Sequence, residues 1–291
     1  TSPTSFGSGI TGAAADAFSP SAGGHLYVID SGASLVQLRK DGSASTDLLP
    51  TLGLAGGVIN TVHVIGPNIY LTNDAITCTS DCIRRISNDG GGSFRVVDLG
   101  SFATSPNDAL QGVAEADGRL WMITNDTTDL QLWSLDLSAS TFPTPARLEA
   151  TYPDIDTCNG LEVDSMYFYS ACDDIGNGAE GLIRIRRTTL VAEPVAELTL
   201  SISSGSWGGV QIADPDSDGI ADVAYVQGDN NGSTTSATGA TFYVCQPGGT
   251  VPAFAGPFGA GVGDDESLGY DPSTNSIYQI RESSSQYFRF D

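Results

Sequence analysis

One kind of short strand recurs six times along this chain: HLYVID, NIYLTN, RLWMIT, SMYFYSA, VAYVQ and SIYQIR. With Leu26, Ile69, Leu120, Met166, Val223 and Ile277 as central positions, the spacings are 43, 51, 46, 57 and 54 residues. Between these markers, β-branched and aromatic runs alternate with Gly, Asp, Ser and Asn turns, and helical periodicity is almost absent. A sheet of three or four strands cannot bury both of its faces alone, whereas copies packed around an axis can. The spacing therefore predicts an all-β chain folded as a six-bladed β-propeller with four-stranded antiparallel blades.

The other strands take their places around the marker. A run of small residues precedes it (ITGAAADAF, INTVHVI, LQGVAEA, NGLEVD, GGVQIA, ESLGYD), as suits the crowded position nearest the axis. A third strand follows (LVQLRK, CIRRIS, LQLWSLDL, LIRIRR, TFYVC, YFRFD), and a fourth follows in most units. The expected blades are residues 10–52, 58–100, 109–152, 158–201, 207–258 and 265–291 of one domain spanning 1–291. The sixth stops after its third strand, so residues 1–9 are expected to supply its outer strand and close the ring, leaving no long free edge. Arginines gather in third strands while acids crowd the loops, which predicts cross-strand ion pairs on half-exposed faces.

Thirty-five acidic groups against twelve basic ones give a formal charge of −23, and Lys40 is the sole lysine. Such a polyanion repels nucleic acid phosphates and anionic membrane surfaces, so neither is an expected partner. No window holds 18 consecutive apolar residues, so no membrane insertion is expected, and TSPTSFGSG reads as a trimmed, mature end. Five cysteines suggest oxidation. Cys158 and Cys172 each lie seven residues from Ser165, where two antiparallel strands would reverse, so they would face each other. Cys78 and Cys82 in CTSDC form a second candidate pair, Cys245 is left as a buried thiol, and zinc-type spacings are lacking. The expectation is a monomer, secreted or otherwise periplasmic or extracellular.

Residues 213–222, ADPDSDGIAD, join the first two strands of the fifth unit, on the bottom face. Oxygen ligands at this density suit a hard cation. The stretch resembles the calcium loop of FG-GAP repeats, which occupies the same turn in integrin-type propellers. That resemblance implies a structural calcium held by Asp214, Asp216, Asp218 and Asp222 with the Ile220 carbonyl, and Gly219 at the bend.

The opposite, top face is built by loops entering first strands and leaving second strands, and these are also acidic. At the starts of first strands, Thr11, Asn60, Gln111, Asn159, Gly208 and Glu266 align around the expected channel mouth. SPNDALQGVAEADGRLWMIT and NGLEVDSMYFYSACD resemble the third and fourth blades of gluconolactonase/paraoxonase-like propellers. That resemblance implies a divalent metal at the channel axis, with Asn159 matching one of the family's two Asn ligands and Asn107 the other if three residues are inserted before GVAEADGR, Leu110 or Gln111 taking that place otherwise. Thr11 stands for its Glu and Trp207 or Gly208 for its Asp, so two of the four ligands depart from the pattern. His25 and His63, the two histidines, both fall within strands, which argues against a Ser/His/Asp triad. The expected function is a calcium-stabilised module that binds a small molecule, glycan or protein through its top face. The alternative is a metal-dependent lactonase-like hydrolase or lyase working at the channel mouth.

Overall fold

The structure is a computed structural model that describes residues 4–5, 15–21, 24–30, 34–41, 44–54, 59–73, 82–88, 94–101, 110–126, 129–197, 207–228, 241–248, 255–258, 268–281 and 286–291. Six four-stranded antiparallel sheets form a β-propeller, as the repeat predicts. Blade one comprises β2 (Ala15–Pro20), β3 (His25–Asp30), β4 (Ser34–Arg39) and β5 (Ser45–Asp47). Blade two comprises β6 (Ile59–Ile65), β7 (Asn68–Asn73), β8 (Cys82–Asn88) and β9 (Phe94–Ser101). Blade three comprises β10 (Leu110–Ala116), β11 (Arg119–Asp126), β12 (Asp129–Asp136) and β13 (Arg147–Pro153). Blade four comprises β14 (Ile155–Val163), β15 (Tyr167–Ile175), β16 (Gly181–Arg186) and β17 (Ala192–Glu197). Blade five comprises β18 (Trp207–Ala213), β19 (Val223–Gly228), β20 (Thr241–Cys245) and β21 (Ala255–Phe258). Blade six comprises β22 (Leu268–Asp271), β23 (Ser276–Arg281), β24 (Gln286–Phe290) and, from the other end of the chain, β1 (Thr4–Ser5).

The N-terminal segment thus closes the ring, Thr4 pairing with Tyr287 and Ser5 with Gln286. A side-chain clasp holds the same seam. The Lys40 ammonium, from blade one, is bonded to the buried carboxylate of Asp271 in blade six and donates to the Ser21 carbonyl at 2.6 Å. It also lies 5.7 Å from the centre of the Tyr278 ring, while the Tyr287 hydroxyl donates to the Lys40 carbonyl. One short helix, α1 (Leu49–Leu52), was not expected; Pro50 suits its first turn and Gly53, at φ 66°, ends it.

Strand register sharpens the repeat. An aromatic side chain in each second strand pairs with one residue of the inner strand: Tyr27 with Ser19, Tyr70 with His63 and Trp121 with Ala114. Tyr169 pairs with Glu162, Tyr225 with Gln211 and Tyr278 with Gly269 in the same way. Phe168 and Ala224 therefore hold the marker positions assigned by sequence to Met166 and Val223. Met166 is instead an exposed turn residue.

Apolar packing runs between blades. Leu161 and Phe168 of blade four pack with Trp121 and Ile123 of blade three. Tyr169 and Ala171, on the opposite face, pack with Val210, Ala224 and Val226 of blade five. The expected cross-strand ion pairs are present, Arg84 to Asp98 and Arg184 to Glu193 both at 2.8 Å. Small inner-strand residues are required at the axis. A Cβ on Gly112 would lie 2.5 Å from the Leu161 nitrogen, and one on Gly160 would lie 2.7 Å from the Val210 nitrogen. Blades three, four and five therefore touch backbone to backbone.

Candidate functional site

The top end of the inner strands carries a repeated irregularity. The ladder slips by one residue at Asp16 in blade one, Asn60 in blade two, Gln111 in blade three and Gly208 in blade five. In blade four the slip falls between Asn159 and Glu162. A bulge bends the strand and re-aims the residue it carries, and bulges gather at barrel rims and beside active sites. Asn60, Gln111 and Gly208 are the residues skipped at equivalent steps, whereas Asn159 stays paired with Ala171 just ahead of the blade-four slip. Blade one differs, because Asp16 and not Thr11 occupies this step. Thr11, Asn107 and Glu266 lie outside the described residues.

Blade four fixes its part of the mouth firmly. Cys158 and Cys172 are disulfide-bonded across the first two strands, one residue from Asn159. Thr157, just before them, has φ 49°, a left-handed conformation that a β-branched residue rarely adopts. The Asp156 carboxylate accepts the Thr157 N–H at 2.6 Å. Asp174 pairs with Asp156 across the strands, and its Oδ1 accepts the N–H groups of Gly176, Asn177 and Gly178 at 2.8, 3.1 and 2.9 Å. Burial and the Asp173 charge raise the Glu180 carboxyl above its ordinary range. Replacing both Cys158 and Cys172 by Ser should cost about 2–3 kcal/mol, the range for so short a closed loop. The expected readout is a lower Tm than wild type under non-reducing conditions and an equal Tm after reduction. Cys78 lies outside the described residues; Cys245 is a free, buried thiol that burial pushes up to about 11.

Below the mouth, polar side chains at one inner-strand step bridge blades. Ser19 Oγ accepts the Val64 N–H of blade two at 3.0 Å, and Gln211 Oε1 accepts the Tyr270 N–H of blade six at 3.0 Å. The corresponding blade-six residue is Gly269, with no side-chain acceptor, and the residue it would serve in blade one is Pro20, with no N–H. The Tyr70 hydroxyl donates to Glu115 at 2.7 Å, joining blades two and three. Burial lowers His63 to about 4, so it is uncharged at neutral pH.

At the opposite end of blade five, the carboxylates of Asp214, Asp216 and Asp218 offer oxygens within 4.8 Å of one another. The loop is folded around them: the Gly219 N–H donates to Asp214 Oδ2 at 2.8 Å and the Asp218 N–H to Asp216 Oδ1 at 3.1 Å. That last bond lowers the Asp216 carboxyl, but desolvation and the Asp218 and Asp222 charges outweigh it, leaving it above its ordinary range. This donor set, three clustered and unneutralised carboxylates, fits a hard cation. The loop also braces on blade four, where the Ser165 N–H donates to the Gly219 carbonyl at 2.8 Å. The Ala221 N–H donates to Asp164 Oδ2 at 3.0 Å, an oxygen that also accepts the Tyr169 hydroxyl at 2.8 Å. The acid loop and the bulged ring stand at opposite ends of the inner strands.

No family model matches the sequence, and no curated protein matches it. Solved structures share the fold. The PQQ domain of a pyranose dehydrogenase from Coprinopsis cinerea, in its holo form, aligns with TM-score 0.64 at 11% identity, covering 99% of this chain and 94% of that one. A putative oxidoreductase (glucose dehydrogenase) from Thermus thermophilus aligns with TM-score 0.62 at 12% identity over 95% and 96% of the two chains. A putative 6-phosphogluconolactonase from Bacteroides fragilis aligns with TM-score 0.55 at 14% identity over 95% and 79%. At these identities the likeness is one of fold.

Proposed function

We propose that the protein is a calcium-stabilised propeller, acting outside the cytoplasm, that binds a ligand or partner at its top face. The observation carrying this reading is a bulge near the start of five inner strands, at one step in blades one, two, three and five and just after Asn159 in blade four. Regular pairing would serve a purely structural ring equally well, whereas bulges are features that cluster at barrel rims and beside binding and active sites. The left-handed Thr157 and the adjacent disulfide hold Asn159 in a preorganised segment, as binding sites require. The disulfide also supports an oxidising compartment. Asn159→Ala and Glu266→Ala should each weaken ligand or metal binding with little loss of stability; normal binding in both variants overturns the reading.

Calcium in this proposal belongs to Asp214, Asp216 and Asp218, where it would neutralise the loop and hold the turn against blade four. An ion bound only by the native state at hundreds of times its Kd adds roughly 3–4 kcal/mol. Chelation should therefore lower Tm by about 10 °C without dissolving the fold, and Asp216→Ala should abolish that response. Equal melting curves with and without chelator would remove calcium from the account.

One observation favours a second reading, a metal-dependent hydrolase. The register places Asp16 at the blade-one step where the lactonase-like resemblance calls for a carboxylate. A second bound ion, lost in Asn159→Ala and kept in Asp216→Ala, together with hydrolysis of a simple lactone, would establish it.

A further inference from the structure

Where the inner strands of blades four, five and six meet, a half-buried carboxyl group has no countercharge among the described residues. Leu161 packs toward blade three, so the alternation of the strand turns Glu162 toward blade five. Glu162 Oε1 accepts from Gln211 Nε2 at 2.7 Å. The same Nε2 donates to the Val210 carbonyl at 2.9 Å, and Gln211 Oε1 accepts the Tyr270 N–H, so the amide is fixed in orientation. A single chain of hydrogen bonds thus spans three blades, one step below the closest backbone approach of Gly160 to Val210.

Among the described residues, none of the ionisable groups around Glu162 supplies it with a cation. Strand β18 contains no ionisable side chain, and the facing residue of its neighbour β19 is Tyr225. In blade six, Tyr270 presents its N–H and Asp271 is engaged by Lys40. Within blade four, Arg184, opposite Tyr169, is paired with Glu193 and donates to the Pro247 carbonyl, Tyr169 donates to Asp164, and Asp156, Asp173 and Asp174 stand at the top end of the strands. On the blade-three side, Glu115 accepts from Tyr70 and Arg119 from β11 is paired with Glu149, with Asp126, Asp129 and Asp136 at strand ends. His63, at the equivalent step of blade two, is uncharged.

We propose that Glu162 is a proton-operated joint: protonated, it seals blades four, five and six around the axis, and ionised, it loosens them. An unpaired charge between packed strands must draw in water or push them apart, whereas the neutral carboxyl accepts the Gln211 bond at no such cost. Burial pushes Glu162 up to about 8, only partly countered by Gln211. The folded-state value is thus raised above the unfolded one. The stability it confers is complete below about pH 4.5, falls as pH rises through the folded value and is gone above it.

The test compares wild type with Glu162→Gln, which keeps the shape and cannot ionise. Hydrogen–deuterium exchange, corrected for the intrinsic rate, is followed in peptides covering residues 207–213 and 268–271 between about pH 6.5 and about pH 9.5. Protection in wild type should fall at least about tenfold relative to the variant, while β12 stays unchanged in both. Carbon-13 observation of the wild-type Glu162 carboxyl, which needs no stable variant, should show a midpoint near 8. Superposed exchange profiles for the two proteins, or a Glu162 midpoint near 4.5, would overturn the proposal.

Discussion

Lys40→Met lowers the stability of this protein by about 3–5 kcal/mol, the cost of stranding a buried partner without its countercharge. Asp271 is fully buried, and its oxygens accept from Lys40, from Ser273 Oγ at 2.7 Å and from Thr274 Oγ1 at 2.8 Å. Burial raises the Asp271 carboxyl, but the Lys40 ammonium and the two hydroxyls outweigh it and hold it below the usual range. The folded value is depressed, so this stabilisation is present above the unfolded value and is lost as pH falls through the folded one. The variant should therefore melt about 10 °C or more below wild type at neutral pH, with the difference shrinking in acid. Adding Asp271→Asn to Lys40→Met should recover part of the loss, since no buried charge then remains. A Tm within about 2 °C of wild type for Lys40→Met would mean that the seam is held by β1 alone.

That clasp illustrates what could be read from the residues. Period and polarity gave the architecture, because a blade of about fifty residues repeats its burial pattern whatever its loops contain. The disulfide was visible through the symmetric spacing of Cys158 and Cys172 about Ser165. Register was harder. SMYFYSA places tyrosines at 167 and 169, two apart on one face of a strand, so sequence alone allows either to match Tyr27 and Tyr70. The structure selects Tyr169, because it is opposite Glu162. In blade one, ITGAAADAF has no bulky residue between Ile10 and Phe18 to fix the register, and the ring position moved from Thr11 to Asp16. Glu162 and Gln211 went unnoticed as a pair because they are 49 residues apart and meet only across a blade boundary. A usable signal existed: Ser19, His63, Glu162 and Gln211 are polar residues at one step of otherwise small or apolar strands, each opposite a tyrosine.

A close backbone approach at the axis gives the second large effect, expected for Gly160→Ala. The residue has φ 73°, and an added methyl would lie 2.7 Å from the Val210 nitrogen, 3.2 Å from Gly209 Cα and 3.3 Å from Val210 Cγ1. Two of these three atoms are backbone of the neighbouring blade, so no rotamer change relieves the contact. The left-handed conformation costs an alanine roughly 1–2 kcal/mol, and forcing a methyl into a packed core costs roughly 1–3 more. Gly118→Ala separates the two terms, because Gly118 has a matching φ of 72° and nothing within 4 Å of the added carbon. It should lose about 1–2 kcal/mol and keep its ligand, while Gly160→Ala loses about 2–5 kcal/mol. The larger variant should also spread blades four and five beside Asn159, so its binding at the channel mouth should fall further than its stability at the assay temperature explains. Equal losses in the two variants, by denaturant unfolding and by binding, would show that blades four and five can separate at the axis without consequence for the mouth.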